Sequence, residues 1–179
     1  MDVEVGLERL MFRRARPEDA LVMALGVRAG FETYREWAGP GWEPPDIASR
    51  HEVARLRDRL RRPASWARLA LDGHTLVGHV FFEVGRELDA PYRDIPRLAH
   101  LAHLFVARAW WGSGLAAALL GDTVERMRAG GFAQGRLWTP SGQRRARAFY
   151  AREGWRETGT EWFDEGLQLM LVELGIDLE

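Results

Sequence analysis

The stretch that most constrains this chain runs from His100 to Leu120, His-Leu-Ala-His-Leu-Phe-Val-Ala-Arg-Ala-Trp-Trp-Gly-Ser-Gly-Leu-Ala-Ala-Ala-Leu-Leu. It opens as an apolar strand pattern, breaks at Gly112-Ser113-Gly114, and continues as an Ala/Leu-rich helix pattern. The two glycines permit backbone angles and close approaches that a Cβ would block. The peptide N–H groups from Gly112 through Ser113, Gly114 and Leu115 to Ala116 can then converge on one external anion, and a helix beginning near Gly114 adds the positive end of its dipole. The stretch therefore reads as a pyrophosphate cradle, with a glycine-rich connector that binds nothing as the plain alternative. A P-loop would need Gly-x-x-x-x-Gly-Lys-Ser/Thr, and the chain contains no lysine. A dinucleotide fingerprint would need a third glycine where Ala117 stands and an acidic residue at a second strand tip, but Glu125 falls inside the helix.

The other bounds are broad. At 179 residues the chain suits a single domain, 1–179, with a sizeable core. A net charge of -1 argues against nucleic acid or an anionic membrane surface as the main partner. No cysteine is present, which excludes disulfides, a thiol nucleophile and a cysteine-based metal site. There is no membrane-length apolar run, and the opening Met-Asp-Val-Glu-Val is acidic where a secretory leader would be basic. A cytoplasmic location is the default expectation. All 25 basic residues are arginine, and asparagine is missing too, so motif positions that favour Lys or Asn will look altered.

Leu10 to Arg14 alternates like a strand, and Pro17-Glu18-Asp19 starts a helix whose apolar residues recur through Tyr34. A Gly39-Pro40-Gly41 connector follows. Around it Tyr34, Trp37 and Trp42 form either a cover for the core or a substrate-binding wall. Asp46 to Arg62 is a second helical pattern, stopped by Pro63. Trp66–Leu71 and Thr75–Val84 are strands joined at Asp72-Gly73. Gly85 to Arg97, polar with two prolines, is predicted as a loop before the strand Leu98–Val106. The helix Leu115–Arg128 ends at Gly130-Gly131. Then come a short strand Leu137–Thr139, a helix from Gln143 to Gly154, and strands Trp155–Thr158 and Leu167–Leu174 around a predicted loop Gly159–Gly166.

Two motifs carry a family resemblance. Trp111, Gly114 and Ala116 occupy the positions of Gln/Arg-x-x-Gly-x-Gly/Ala, with tryptophan replacing the first residue. Gln143, Ala146, Phe149, Tyr150, Gly154 and Trp155 occupy those of Asn-x-x-Ala-x-x-Phe-Tyr followed by Gly-Phe, with glutamine and tryptophan as the related replacements. In order, spacing and succession of elements the whole chain resembles the GNAT superfamily of acyl-CoA-dependent N-acyltransferases. The resemblance implies an α/β (α+β) fold with a mostly antiparallel mixed sheet of about six to seven strands, about four flanking helices, and strands 4 and 5 splayed apart.

It also implies acetyl-CoA as co-substrate, its pantetheine arm against the backbone of Leu104, Phe105 and Val106 and its pyrophosphate on Trp111 to Ala116. Gln143 and Arg147, with Arg144 and Arg145, lie close enough in sequence to reach the nucleotide phosphates, or else form a solvated helix face. Tyr150 falls where the family places its general acid. The fourth strand holds no carboxylate between Leu98 and Val106, but His100 and His103 are suited to accept a proton near neutrality. Residues three apart face opposite sides of a regular strand, so both reach the slot only if the strand carries a bulge, as the phase slip through Leu98, Leu101, Leu104 and Val106 suggests. Glu83 is the spare candidate at the acceptor end. The expected activity is acetyl transfer to a primary amine of a small molecule or peptide. A non-catalytic acyl-CoA-binding partner module is the alternative, and the aromatic surface would also serve a homodimer.

Overall fold

Four antiparallel strands build the first half of the sheet. β1 (Met11–Arg14) pairs with β2 (Trp66–Asp72), β2 with β3 (Thr75–Arg86), and β3 with β4 (Asp94–Val106). This computed structural model describes residues 6–90 and 93–179; residues 1–5, Pro91 and Tyr92 lie outside them. β5 (Gln134–Pro140) runs parallel to β4, β7 (Leu169–Asp177) lies antiparallel beside β5, and β6 (Arg156–Asp164) forms the far edge, giving the order β1-β2-β3-β4-β5-β7-β6. α1 (Ala20–Glu32) and α2 (Arg50–Leu60) cover one face, and α3 (Leu115–Ala129) and α4 (Arg144–Arg152) belong to the other.

The period-2 alternation of the strands splits the core into two layers. Val80, Phe82, Leu101 and Leu137 meet Leu115 and Leu119 of α3, whereas Leu69 and Phe81 meet Met23, Val53 and Leu56 from α1 and α2. Each such buried side chain contributes roughly 1.5–3 kcal/mol of transfer free energy, so both helix pairs are held by the sheet rather than by their own propensity.

Two expected loops are strands. β3 reaches Arg86 and β4 starts at Asp94, where Arg86 and Asp94 pair, so the predicted loop from Gly85 to Arg97 shrinks to its middle. Pro96 is tolerated because β5 joins only from Leu98 onward, leaving this part of β4 with one free edge. The predicted loop Gly159–Gly166 is also mostly strand, since β6 continues to Asp164. Its glycine is a bulge residue: Gly159 has φ 87°, at the register shift between Glu157 and Glu161.

The expected bulge in β4 is present. His103 stands opposite Phe81, yet Leu101 stands opposite Phe82, so Ala102 is the extra residue. Because of that insertion His100, His103 and Phe105 share one face with Glu83, Phe81 and His79, the face covered by α1 and α2. β4 and β5 pair only from Leu98–Gln134 to Leu101–Leu137 and then part. α1 sits close over the far part of β4 through small residues. A Cβ on Gly26 would lie 2.9 Å from the Phe105 ring, and one on Gly30 a comfortable 3.7 Å away. Each Gly→Ala change gains about 1 kcal/mol of helix propensity, while overpacking costs about 1–3 kcal/mol. We therefore expect Gly30→Ala to raise the urea midpoint and Gly26→Ala to lower it, and equal shifts of one sign would refute this packing.

Candidate active site

Where β4 and β5 part, a cleft of about 1360 Å³ opens, running from α1 to the glycine turn and α4. Its first wall is the backbone of β4. The Ala107 N–H bonds Val77 O on β3, and Phe105 O also faces β3, so in a pleated strand the polar groups of Leu104 and Val106 point to the empty side. Leu104 and Val106 thus offer edge groups to the cleft. Phe105 does not: its amide edge belongs to β3, and its ring supports α1.

The turn follows directly. Gly112 and Gly114 have φ 83° and 86°, and Gly114 is the N-cap of α3. The Ser113 N–H bonds Trp110 O at 3.3 Å, while the Ser113 hydroxyl donates to Trp110 O at 2.7 Å and accepts from the Leu115 N–H at 3.3 Å. The N–H groups of Gly112, Gly114, Ala116 and Ala117 make no hydrogen bond within the described residues. Ser113 itself does not line the cleft; it braces the turn from behind. Four free N–H donors at a helix N-terminus, next to an open strand edge, fit the diphosphate and amide arm of coenzyme A.

Trp111 holds the turn differently from the Gln/Arg it replaces. Its indole N–H donates to Val106 O at 2.9 Å, and its ring lies under two guanidiniums, Arg145 at 3.8 Å and Arg108 at 5.3 Å. Arg145 comes from the first turn of α4, so the stack joins the two banks of the cleft and brings cationic charge to the turn. Gln143 and Arg144 line the same end. Arg147 does not: it donates to Glu157 at 2.6 Å and to Ser141 O at 2.8 Å, away from the cleft. Helical spacing explains the difference, since residues two apart on a helix face different ways.

Tyr150 lines the cleft from α4, its ring against Phe149 and Trp155 at 5.3 and 6.2 Å. Its hydroxyl makes no hydrogen bond within the described residues, and burial, with the neighbouring Tyr34 phenol, pushes its pKa well above the ordinary value. Tyr34 is itself pushed up to about 12 by burial. His100 and His103 line the cleft from β4. Burial holds His103 well below the usual imidazole range and His100 down to about 4, helped at His100 by Arg136. Both rings are neutral at physiological pH. Behind them His79 is fully buried, its Nε2 3.4 Å from Nδ1 of His103.

The connector after α1 closes the site from above. Tyr34 and Trp37 stack at 4.7 Å and line the cleft, and Trp37 packs against Gly142, where a Cβ would be 2.9 Å from the indole. Trp42 stands one layer back, stacked on Tyr34 at 5.9 Å, with its N–H donating to Leu167 O at 2.7 Å. Glu36 reaches Arg108 at 2.6 Å. Glu83 is 5% exposed and held by Arg59 at 2.6 Å and Arg62 at 3.2 Å; it lies beneath the cleft as a charge partner, outside its lining. Sequence reasoning passed over His79, Trp138, Trp162 and the Trp111–Arg145 stack. The alternation of β3 would have put His79 in phase with Phe81, and that of β5 would have put Trp138 on the face opposite Leu137.

A strand edge left unpaired above a turn of free N–H groups, with a protonated tyrosine facing it, offers the donors that a coenzyme A thioester needs. The chain belongs to the acetyltransferase (GNAT) family, whose sequence profile matches residues 31–155, and is an acyltransferase with acetyl-CoA as co-substrate. No curated protein sequence matches it. Among solved structures it is similar to an N-acetyltransferase from Staphylococcus aureus Mu50 (TM-score 0.71, 16% identity, 95% of this chain and 99% of that one). It is also similar to YncA from Salmonella typhimurium with its cofactor acetyl-CoA (0.69, 15%, 96% and 95%) and to PaiA N-acetyltransferase from Thermoplasma acidophilum in complex with coenzyme A (0.67, 16%, 92% and 97%). No helix among the described residues is long and apolar enough to cross a membrane.

The buried histidines make stability depend on pH. His79, pushed down to about 3 by burial, stays neutral in the fold at pH values where the unfolded chain takes up a proton. Its contribution is complete above about 6.5 and is lost as pH falls, by up to about 1.4 kcal/mol per pH unit. Urea midpoints are expected to drop between pH 6.5 and 4, and His79→Leu is expected to flatten that drop; an unchanged slope would show that His79 titrates normally.

Proposed function

We propose that this enzyme transfers the acetyl group of acetyl-CoA directly to a primary amine of a small molecule or peptide. The observation that carries the reading is the meeting, on one cleft, of the unpaired Leu104–Val106 edge, the free N–H groups of the glycine turn, and Tyr150. Acetyl-CoA supplies the activated thioester. Leu104 and Val106 align its amide arm as an added strand would be aligned. The N–H groups of Gly112, Gly114, Ala116 and Ala117 take the diphosphate, with Arg144 and Arg145 supplying charge from the other bank.

Tyr150 keeps its proton at neutral pH because its ionised form is disfavoured by burial, so it is a donor for the departing sulfur. His103 and His100 are unprotonated for the converse reason, so their ring nitrogens are open to a hydrogen bond from the amine and pass its proton on to water without holding it. His79 holds the Nδ1 side of His103, as the orienting member of a hydrogen-bonded pair. The amine reading rests on thiol release from acetyl-CoA in the presence of an amine panel, and fails if release never exceeds background.

Two substitutions separate binding from transfer. Tyr150→Phe is expected to lower kcat by about 10²–10⁴-fold, the usual range for a lost proton donor, while calorimetric affinity for CoA stays within about twofold. Gly114→Ala forces a Cβ into the left-handed region at a cost of about 1–2 kcal/mol, and should weaken CoA binding roughly five- to tenfold. The opposite pattern would exchange the two roles.

A further inference from the structure

The acceptor end of the cleft has a composition of its own. Tyr34 and Trp37 look down from the connector after α1, and Trp138 and Trp162 look up from β5 and β6. Trp138 and Trp162 form an edge-to-face pair at 6.0 Å. β-sheet register explains why they meet: Trp138 opposes Glu173 and Trp162 opposes Leu171 on the strand between them, so all four residues point to the face that carries His100 and His103. Tyr34, Trp37 and Trp138 are only part-buried, and Trp162 is 40% exposed. They present faces and edges to the cleft instead of spending them on the core.

Of the three carboxylates that line the cleft, one is neutralised by a cation. Glu36 is paired with Arg108 at 2.6 Å, and Asp164 accepts the Leu167 N–H at 2.9 Å to close its own turn. Glu153, the remaining cleft carboxylate, is exposed just past the end of α4. Underneath, Glu83 is matched by two guanidiniums, Arg59 and Arg62. Arg136 lies over the Trp138 ring at 6.0 Å, already occupying that indole as a cation partner.

We infer that the acceptor is a monoamine carried on an aromatic ring by a short alkyl arm, the ring lodged between Tyr34–Trp37 and Trp138–Trp162 and the amine directed at His100 and His103. The inference rests on the amine-transfer reading above and narrows it. Offset and edge-to-face contacts reward a flat ring over an alkyl chain of equal length, whereas a second ammonium near the connector would find Glu36 already paired with Arg108. The transfer itself is balanced: the amine nitrogen forms the new bond to the acetyl carbon, the carbon–sulfur bond breaks, and the amine's proton leaves through histidine while the thiolate takes one from Tyr150.

The test compares 2-phenylethylamine and tryptamine with hexylamine and spermidine as acceptors, following thiol release, alongside calorimetry with CoA. The aryl amines should show kcat/KM at least tenfold above the other two. Trp162→Leu, at a part-exposed position, should raise KM for tryptamine roughly tenfold more than KM for hexylamine. Equal or better use of hexylamine or spermidine overturns the aryl assignment alone. CoA binding with no release for any amine overturns the amine-transfer reading and this inference with it.

Discussion

Everything at the site depends on one hydrogen-bonding decision: β5 follows β4 for four residue pairs and then leaves it. A strand interior with an unpaired edge is costly unless something else satisfies it. Here the edge stays open toward the cleft, and Val106 O is partly served by the Trp111 indole. The parting also sets where everything else must be. The glycine turn follows β4, so its N–H groups lie at one mouth of the gap. α4 follows β5, which brings Tyr150 and Arg145 to the opposite bank. The core layers on either face hold the sheet rigid around a gap that has no strand of its own.

Much of this was legible because local chemistry and global fold agree. The Gly112-Ser113-Gly114 turn and the Ala/Leu helix after it fit more than one kind of cradle by themselves, and the Phe149-Tyr150 motif at its spacing is what separates them. Even the bulge was foreshadowed, by a single slip in the apolar phase of β4. What escaped was of three physical kinds. Strand ends at Arg86, Asp94 and Asp164 were hidden because proline and glycine read as breakers, although a free edge or a bulge accommodates both. Side-chain direction on a polar helix was undetermined, so Arg147 was taken with Arg145 although they point apart. Partners remote in sequence could not be seen at all. Glu83 reads as a lone acid until Arg59 and Arg62, from α2, are brought over it.

The aromatic residues show the same limit from another side. Tyr34, Trp37 and Trp42 stood out as a cluster in sequence, yet the three have different tasks. Tyr34 and Trp37 face the cleft, Trp37 also rests on Gly142, and Trp42 fixes the connector to Leu167. The connector is thereby anchored to the turn after β5 and to the β6–β7 turn, while Glu36 reaches the segment beyond β4. A loop rich in glycine and proline is kept in place by its side chains, which compensates for the conformational freedom of its backbone.

The extra residue in β4 reaches beyond this chain. Upstream of Ala102 the strand's phase puts His100 on the face covered by α1 and α2, and downstream of it a second phase puts His103 and Phe105 on that same face. A spacing of three between paired polar residues, where a flat strand would demand two or four, is therefore a signature that can be searched for. A chain that shortened this segment by one residue would turn His100 into the apolar layer beside α3, leaving His103 and the coenzyme edge untouched. Insertions and deletions here would accordingly change which side chains line the upstream part of the cleft while sparing the open backbone edge downstream.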